Sequence, residues 1–163
     1  FNGAPARTRR CRALDDAVLG TTSPHLFSVH EADHFLSLAS KVARRRIIYG
    51  GDCYNYGLVA SGHVDLVVEA GLKLHDFAAL VPVIEGAGGM VCDWSGHLLN
   101  ADSGGDVIAL GDPARLDDVL EALGHALEAV GLFVDGVAES VGALGVFALG
   151  LLLFQISLHG GAQ

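Results

Sequence analysis

The carboxylates Asp65, Glu69 and Asp76 have the residue types and the spacing that suit metal and phosphate chemistry. Glu69 ends an apolar segment with a buried-strand pattern, and Asp76 follows seven residues later at a predicted helix start. A carboxylate is favoured there by the free N–H groups and the helix dipole. Since ligands bind outside the carboxyl ends of strands in α/β sheets, Glu69 and Asp76 can converge on one crevice. These residues alone predict an acidic crevice that suits a divalent cation, or, more simply, a cap at Asp76.

Strand-like and helix-like segments alternate around these carboxylates, which indicates the α/β class. Strands are predicted at 17–22, 46–49, 64–69, 90–93 and 106–110, and helices at 31–44, 52–60, 76–86 and from 113 onward. Asp52 and Asp112 are the predicted caps of two of these helices. Glycine pairs at 50–51 and 88–89 break the chain between elements and permit close backbone approach.

The charge balance bears on the partners of the protein. A length of 163 residues allows one domain with a sizeable core, and the net charge is −9. Nucleic acid is excluded as a partner, because phosphate contacts need clustered Lys and Arg. The arginine run at 44–46 is short, and we interpret it as a solvated helix end.

Cysteine usage and the first residues bear on the cellular location. The three cysteines include no CxxC pair, which argues against a disulfide framework or a structural zinc site and favours reduced thiols in a cytoplasmic protein. The chain begins with Phe1, and no apolar run follows the early arginines as it would in a signal peptide. We therefore expect an internal start within a longer protein.

The composition changes towards the carboxyl terminus. Residues 116–163 contain no Lys or Arg, and residues 140–158 carry no charge over 19 residues. A helix of that length spans roughly 28 Å, close to the thickness of a bilayer core. Residues 125–163 are therefore predicted to form a hydrophobic helical tail, with 140–158 as a candidate transmembrane helix that would anchor the protein to a membrane. The alternatives are a buried amphipathic helix and unrelated sequence joined through a misread frame.

The region around the carboxylates resembles the inositol monophosphatase superfamily. The family pattern W-D-x-A-A, followed by apolar residues and E-x-G-G, corresponds here to His75, Asp76, Ala78, Ala79, Glu85, Gly88 and Gly89. The upstream pattern G-x-x-D-x-x-x-E corresponds to Gly62, Asp65 and Glu69. Four segments are similar to the histidinol-phosphate phosphatase branch of this superfamily. They are residues 50–73, FNGAPARTRRC at 1–11, TTSP at 21–24 and DWSGHLL at 93–99. The similarity covers residues 1 to about 124, and its many matched positions make it far more specific than a lone glycine motif.

This resemblance implies the carboxyl-terminal half of an α/β/α/β/α layered sandwich over residues 1–124, and a Mg²⁺-dependent phosphomonoesterase. Asp76 would bind the metal and touch the substrate, and Glu69 would contact the organic part of the substrate. Gly51 and Asp52 would line the same pocket, with Asp52 pairing with a substrate ammonium. Asp65 would be structural. His75 replaces the usual aromatic residue, and we predict that it packs in that place.

The substrate implied by the branch is histidinol phosphate, a small phosphate monoester of histidine biosynthesis, and inositol-1-phosphate is the alternative. The family also tends to form homodimers. The Glu-Glu and D-P-x-D-G-T motifs of the family's amino half do not occur in this sequence. Because a two-metal site needs several ligands, we assign no catalytic residue and expect the 163-residue chain alone to be inactive. A non-catalytic, membrane-tethered remnant is the rival hypothesis.

The segment from His30 to His34 matches H-E-x-x-H, the helical motif of zinc proteases. No third ligand is evident in the sequence. We therefore favour the simpler interpretation, which is the polar start of a helix.

Overall fold

The computed structural model describes residues 3–42 and 46–124. The strands are β1 (Leu19–Thr21), β2 (Ile47–Tyr49), β3 (Leu66–Glu69), β4 (Met90–Cys92) and β5 (Val107–Leu110). The helices are α1 (Val29–Lys41), α2 (Cys53–Ala60), α3 (Leu74–Phe77), α4 (Leu80–Gly86) and α5 (116–124). These elements confirm the predicted alternation of strands and helices.

Within the described residues the strands form one five-stranded sheet in the order β2-β1-β3-β5-β4. β1 pairs in parallel with both β2 and β3, whereas β5 runs antiparallel to β3 and β4. The carboxyl ends of β1, β2 and β3 therefore meet at one edge of the sheet, which we call the carboxyl edge. Their amino ends meet at the opposite edge, the amino edge.

Helices cover both faces of this sheet. Because side chains alternate along a strand, Leu66 and Val68 of β3 pack on one face and Val67 on the other. The first face is closed by α1 and α5 through Phe35 and Val119, and the second by α2 and α4. All four residues of β3 are buried, as expected for a central strand covered on both sides. The layers are α/β/α, which confirms the mixed α/β class.

The helix predicted at 76–86 differs from the observed structure. It begins two residues earlier, at Leu74, and divides into α3 and α4 around Ala78 and Ala79. Pro82 accounts for the division, because proline has no N–H to donate to the carbonyl of Ala78, and its ring crowds that carbonyl. Asp76 consequently lies inside the first turn of a four-residue helix.

The other caps agree only in part with the sequence. α1 begins at Val29 because Ser28 and Glu31 form a reciprocal capping box, with Ser28 N donating to Glu31 Oε2 over 2.6 Å. Asp112 accepts from Ala114 N over 3.1 Å, as predicted. Asp52 precedes α2, but its side chain makes no capping hydrogen bond, so that expectation was wrong.

Across residues 3–42 and 46–124, none of the helices combines the length and the apolar character that a membrane span requires. The hydrophobic tail predicted at 125–163, with its candidate span at 140–158, lies outside the described residues.

Candidate functional site

The loop after β2 is held against the end of β1 at the carboxyl edge. Gly50 N donates to the carbonyls of Thr21 and Thr22 over 3.1 and 2.8 Å. The buried Asn55 of α2 holds the same loop, with its Nδ2 donating to Gly50 O over 2.7 Å. The segment from Gly50 to Asp52 therefore has a defined position beside the ends of β1 and β3.

The backbone of this loop is unusual at Gly51 and Asp52. Gly51 has φ +96°, and a Cβ there would lie 2.6 Å from Asn55 Oδ1, so only glycine fits. Within the described part of the chain, Asp52 is the non-glycine residue at positive φ, with φ 47° and ψ −132°. Its carboxylate is exposed and makes no hydrogen bond or ion pair with any described residue. Strained residues of this kind cluster at functional sites, where the surrounding structure holds them in place.

Glu69 lies at the end of β3 and is only 3% exposed. Its Oε1 accepts hydrogen bonds from Thr22 N over 2.6 Å and from Thr22 Oγ1 over 2.8 Å, and Oε2 accepts from Thr21 Oγ1 over 3.3 Å. Burial raises the pKa of the Glu69 carboxyl above its ordinary value, the Thr22 and Thr21 hydrogen bonds oppose the shift, and the nearby Asp52 charge adds to it. Among the described residues, Glu69 is thus a buried acid that accepts hydrogen bonds from neutral donors and has no cation partner.

Asp76 lies in the first turn of α3 and is partly exposed. Its Oδ2 accepts from Lys73 N over 2.7 Å, and its Oδ1 lies 3.5 Å from His75 Nε2. Asp76 therefore does cap the helix, and it still presents a carboxylate oxygen to solvent. The His75 side chain is 82% exposed, so the prediction that it packs in place of an aromatic residue was wrong.

The hydroxyl of Tyr56 is affected by the charges of all three carboxylates. Its ring is buried on α2, and its Oη makes no hydrogen bond within the described residues. Burial raises the pKa of the Tyr56 phenol, and the charges of Glu69, Asp52 and Asp76 raise it further. The charges of all three carboxylates therefore act on one buried hydroxyl, and their membership of one binding site stays a prediction.

Sequence reasoning missed the residues that support this site, namely Thr21, Thr22, Asn55 and Tyr56. A signal was present for the threonines, because two consecutive hydroxyl residues stand at the end of a buried strand. No spacing rule connects Thr22 with Glu69, which is 47 residues away.

Asp65 does not join the site, although it belongs to the same sequence pattern. It lies before β3, at the amino edge, and is 4% exposed. Arg9 donates to both of its oxygens, Nε over 2.7 Å and Nη2 over 2.6 Å, and Val18 N donates to Oδ2 over 2.7 Å. Asp65 thus ties the segment before β1 to the start of β3.

A divalent cation would find part of its ligand set here. Asp76 offers an accessible oxygen, the donor type that Mg²⁺ prefers. Both carboxylate oxygens of Glu69 already accept hydrogen bonds from threonines. The described residues contain no group of three or more His, Cys, Asp or Glu side chains placed to hold a metal. The arrangement fits one wall of a metal site that is completed by other ligands, waters and substrate phosphate.

The His30–His34 motif has a structural role. Both histidines lie in the first half of α1, with ring centroids 4.4 Å apart. His34 Nδ1 lies 2.5 Å from Leu123 O, which joins α1 to α5. This geometry agrees with the polar helix start favoured over a zinc protease site.

Comparison with known proteins gives a family match over most of the chain. The model of the Inositol monophosphatase family matches residues 1–127. The Bifunctional phosphatase IMPL2, chloroplastic, of Arabidopsis thaliana is 48% identical over 130 residues, which are 76% of this chain and 37% of that protein. The Fructose-1,6-bisphosphatase/inositol-1-monophosphatase of Thermotoga maritima is 30% identical over 131 residues, 80% of this chain and 49% of that protein.

Among solved structures, an inositol monophosphatase from Zymomonas mobilis superposes with a TM-score of 0.73 at 53% identity. The match covers 76% of this chain and 48% of that chain. The chain spans about half the length, or less, of each relative it matches.

Proposed function

The chain belongs to the inositol monophosphatase family, and from that premise we propose that it supplies the substrate-binding wall of a Mg²⁺-dependent phosphomonoesterase. The observation that supports the proposal is the buried Glu69 carboxylate at the carboxyl edge, which accepts hydrogen bonds from Thr21 and Thr22 and has no cation among the described residues. Structural carboxylates are normally satisfied by cations or helix ends, as Asp65 is. Asp76 also caps α3, but Glu69 and Asp52 have no cation among the described residues, so this edge carries negative charge that a metal ion or a cationic substrate would neutralise.

Asp76 would hold a Mg²⁺ ion through the oxygen that faces solvent. The ion, when bound, supplies Lewis-acid stabilisation of the phosphate oxygens and lowers the pKa of bound water. The protein's own residues bind and orient the substrate. Glu69 is kept in place by Thr21 and Thr22, and the fixed loop at Gly51 allows close backbone approach.

Histidinol phosphate is the substrate that we propose. Asp52 holds an exposed carboxylate at a strained backbone position with no partner among the described residues. An ammonium group on the substrate would give this carboxylate a charge-assisted hydrogen bond. Inositol-1-phosphate, the alternative, has no cation for Asp52, although the names of the relatives include inositol-1-monophosphatase.

The chain alone should lack activity, because a two-metal site needs several ligands and the described residues contain no group of three or more His, Cys, Asp or Glu side chains placed to hold a metal. A non-catalytic remnant is therefore the rival to this proposal. A homodimer and a cytoplasmic location also remain proposals.

A chimera tests the proposed activity. The amino-terminal half of the Zymomonas mobilis inositol monophosphatase would be fused ahead of this chain, which covers the other 48% of that structure. We expect Mg²⁺-dependent phosphate release from histidinol phosphate, and a fall in kcat/KM on the order of 100-fold in Asp76→Asn.

Asp15→Asn is the matched control, because Asp15 is an exposed carboxylate in the turn before β1, at the amino edge of the sheet. It should leave kcat/KM unchanged. A folded chimera, verified by a cooperative thermal transition, that releases no phosphate would refute the phosphatase proposal and favour the remnant. Full activity in Asp76→Asn would remove Asp76 from the site.

A further inference from the structure

Arginines gather at the amino edge, opposite the acidic site. The chain has ten Lys and Arg residues in total and a net charge of −9. Two neighbouring concavities at this edge are lined by arginines, which are Arg9, Arg10, Arg12, Arg46 and Arg115. Half of the chain's cations therefore line one region of an otherwise acidic protein.

Some of these guanidiniums are engaged and others are free. Arg9 pairs with Asp65, Arg46 lies 3.6 Å from Asp16, and Arg115 lies 2.5 Å from Asp118. Arg10 and Arg12 are exposed, and their side chains make no hydrogen bond or ion pair with any described residue. The Nε of Arg115 is buried and also has no hydrogen-bond partner among the described residues.

The two concavities form a continuous surface, because both are lined by Arg10, Cys11 and Arg12. Their volumes are about 430 and 460 Å³, which is in the range of small-molecule sites. The backbone between them is fixed, since Cys11 N donates to Asp112 Oδ2 over 3.0 Å and Arg9 is held by Asp65. The arginine side chains therefore project from a rigid frame.

The balance of charge favours an anion. Among the described residues that line the two concavities, guanidiniums outnumber carboxylates by five to three, the carboxylates being Asp16, Asp65 and Asp112. The pairs Arg9–Asp65 and Arg46–Asp16 each cancel one charge of either sign, so Arg10, Arg12 and Arg115 stand against Asp112 among the remaining lining residues. The planar guanidinium fork matches phosphate oxygens in a bidentate way, which an ammonium does not.

We propose that this amino-edge surface binds a small anion with a phosphate or diphosphate group, held chiefly by Arg10 and Arg12. The shared position of these residues between two concavities suits two linked anionic groups. Nucleic acid fits less well, because the surface is concave and interrupted by carboxylates. Asp65, which lines this surface, is four residues from Glu69 along β3, or about 13 Å at ~3.3 Å per residue. The anion site is therefore separate from the proposed phosphatase site and does not depend on it.

Isothermal titration of the 163-residue chain with inorganic diphosphate tests this site. EDTA in the buffer removes divalent metal, so diphosphate cannot bind through a metal at Asp76. We expect saturable binding to the unmodified chain, and affinity weaker by on the order of tenfold or more in the double variant Arg10→Gln/Arg12→Gln. Arg7→Gln is the matched control, because Arg7 is exposed on the same segment but lines neither concavity.

Asp76→Asn should bind diphosphate like the unmodified chain, which separates this site from the proposed phosphatase site. Unchanged affinity in the double variant, with its thermal midpoint also unchanged, would overturn the proposal. Absence of saturable binding by the unmodified chain would do the same, as would tighter binding of a single-stranded oligonucleotide than of diphosphate.

Discussion

The two ends of β3 carry buried carboxylates with opposite environments. Asp65 at the amino edge and Glu69 at the carboxyl edge are 4% and 3% exposed, so burial does not distinguish them. Asp65 is neutralised by the Arg9 guanidinium, whereas Glu69 receives only neutral donors from Thr21 and Thr22. The pKa of Glu69 is raised above its ordinary value by burial, against the effect of its hydrogen bonds.

This difference agrees with a structural role for Asp65 and with the substrate contact that we propose for Glu69. The charge and the acceptor oxygens of a buried carboxylate are satisfied when one guanidinium donates to both oxygens, and such a pair joins two parts of the chain. Glu69, in contrast, is buried without a cation among the described residues, and the charges of Asp52 and Asp76 act on the same region. A cationic ligand would neutralise this negative charge. In this proposal the same strand stabilises the fold at its amino end and carries the substrate-binding residue Glu69 at its carboxyl end.

The largest effect is expected at the amino edge. Asp65→Ala would leave Arg9 without its partner and Val18 N without its acceptor. Removal of one member of a buried pair costs about 3–5 kcal/mol, and since Arg9 is 42% exposed we expect about 2–3 kcal/mol. Urea denaturation measures this loss in the unfolding free energy. Asp102→Ala is the control, expected within about 0.5 kcal/mol of the unmodified chain. Equal stability of both variants would show that Asp65 is not the structural acid.

A smaller effect is expected for the hydroxyl that holds Glu69. Thr22→Val keeps the backbone bond to Oε1 but removes the side-chain bond of 2.8 Å. The expected loss is about 1 kcal/mol, measured by the same denaturation. Thr8→Val is the matched control, because its hydroxyl makes a weak bond of 3.5 Å to Ala87 O and should matter less. A larger loss in Thr8→Val would contradict the role given to Thr22.

The pH dependence of stability distinguishes Glu69 from an ordinary paired carboxylate. Because its pKa is raised in the folded protein, Glu69 binds a proton more tightly there, and ionisation favours the unfolded chain. The unmodified chain should therefore lose stability relative to Glu69→Gln as the pH rises from the ordinary glutamate pKa through the raised one. Thermal midpoints between about pH 4 and 8 measure the difference, which should vanish at the acidic end. A relative gain of the unmodified chain with rising pH would mean that Glu69 is stabilised as an anion.

The sequence predicts the elements better than it predicts their contacts. The apolar run at 64–69 and the alternation around it are sufficient to place β3 and its buried faces, because strand periodicity is a local property. The strand order and the antiparallel β4 and β5 depend on pairings between distant residues, so no local pattern contains them.

The site shows the same division. Asp76 near a helix start and Glu69 at a strand end could be predicted, since both positions follow from element boundaries. The exposure of His75 and the positive φ of Asp52 could not, because both depend on tertiary packing around one residue. The break before α4 had a visible cause in Pro82, which the helical pattern obscured.

Recognition of a phosphate monoester that carries a cation is the role that we propose for the carboxyl edge. The direct test is kcat/KM of the chimera with Asp52→Asn, measured on histidinol phosphate and on inositol-1-phosphate. We expect a fall of about tenfold or more for histidinol phosphate, since a charge-assisted hydrogen bond is lost, and little change for inositol-1-phosphate. Equal falls for both substrates, or none for histidinol phosphate, would contradict the claim.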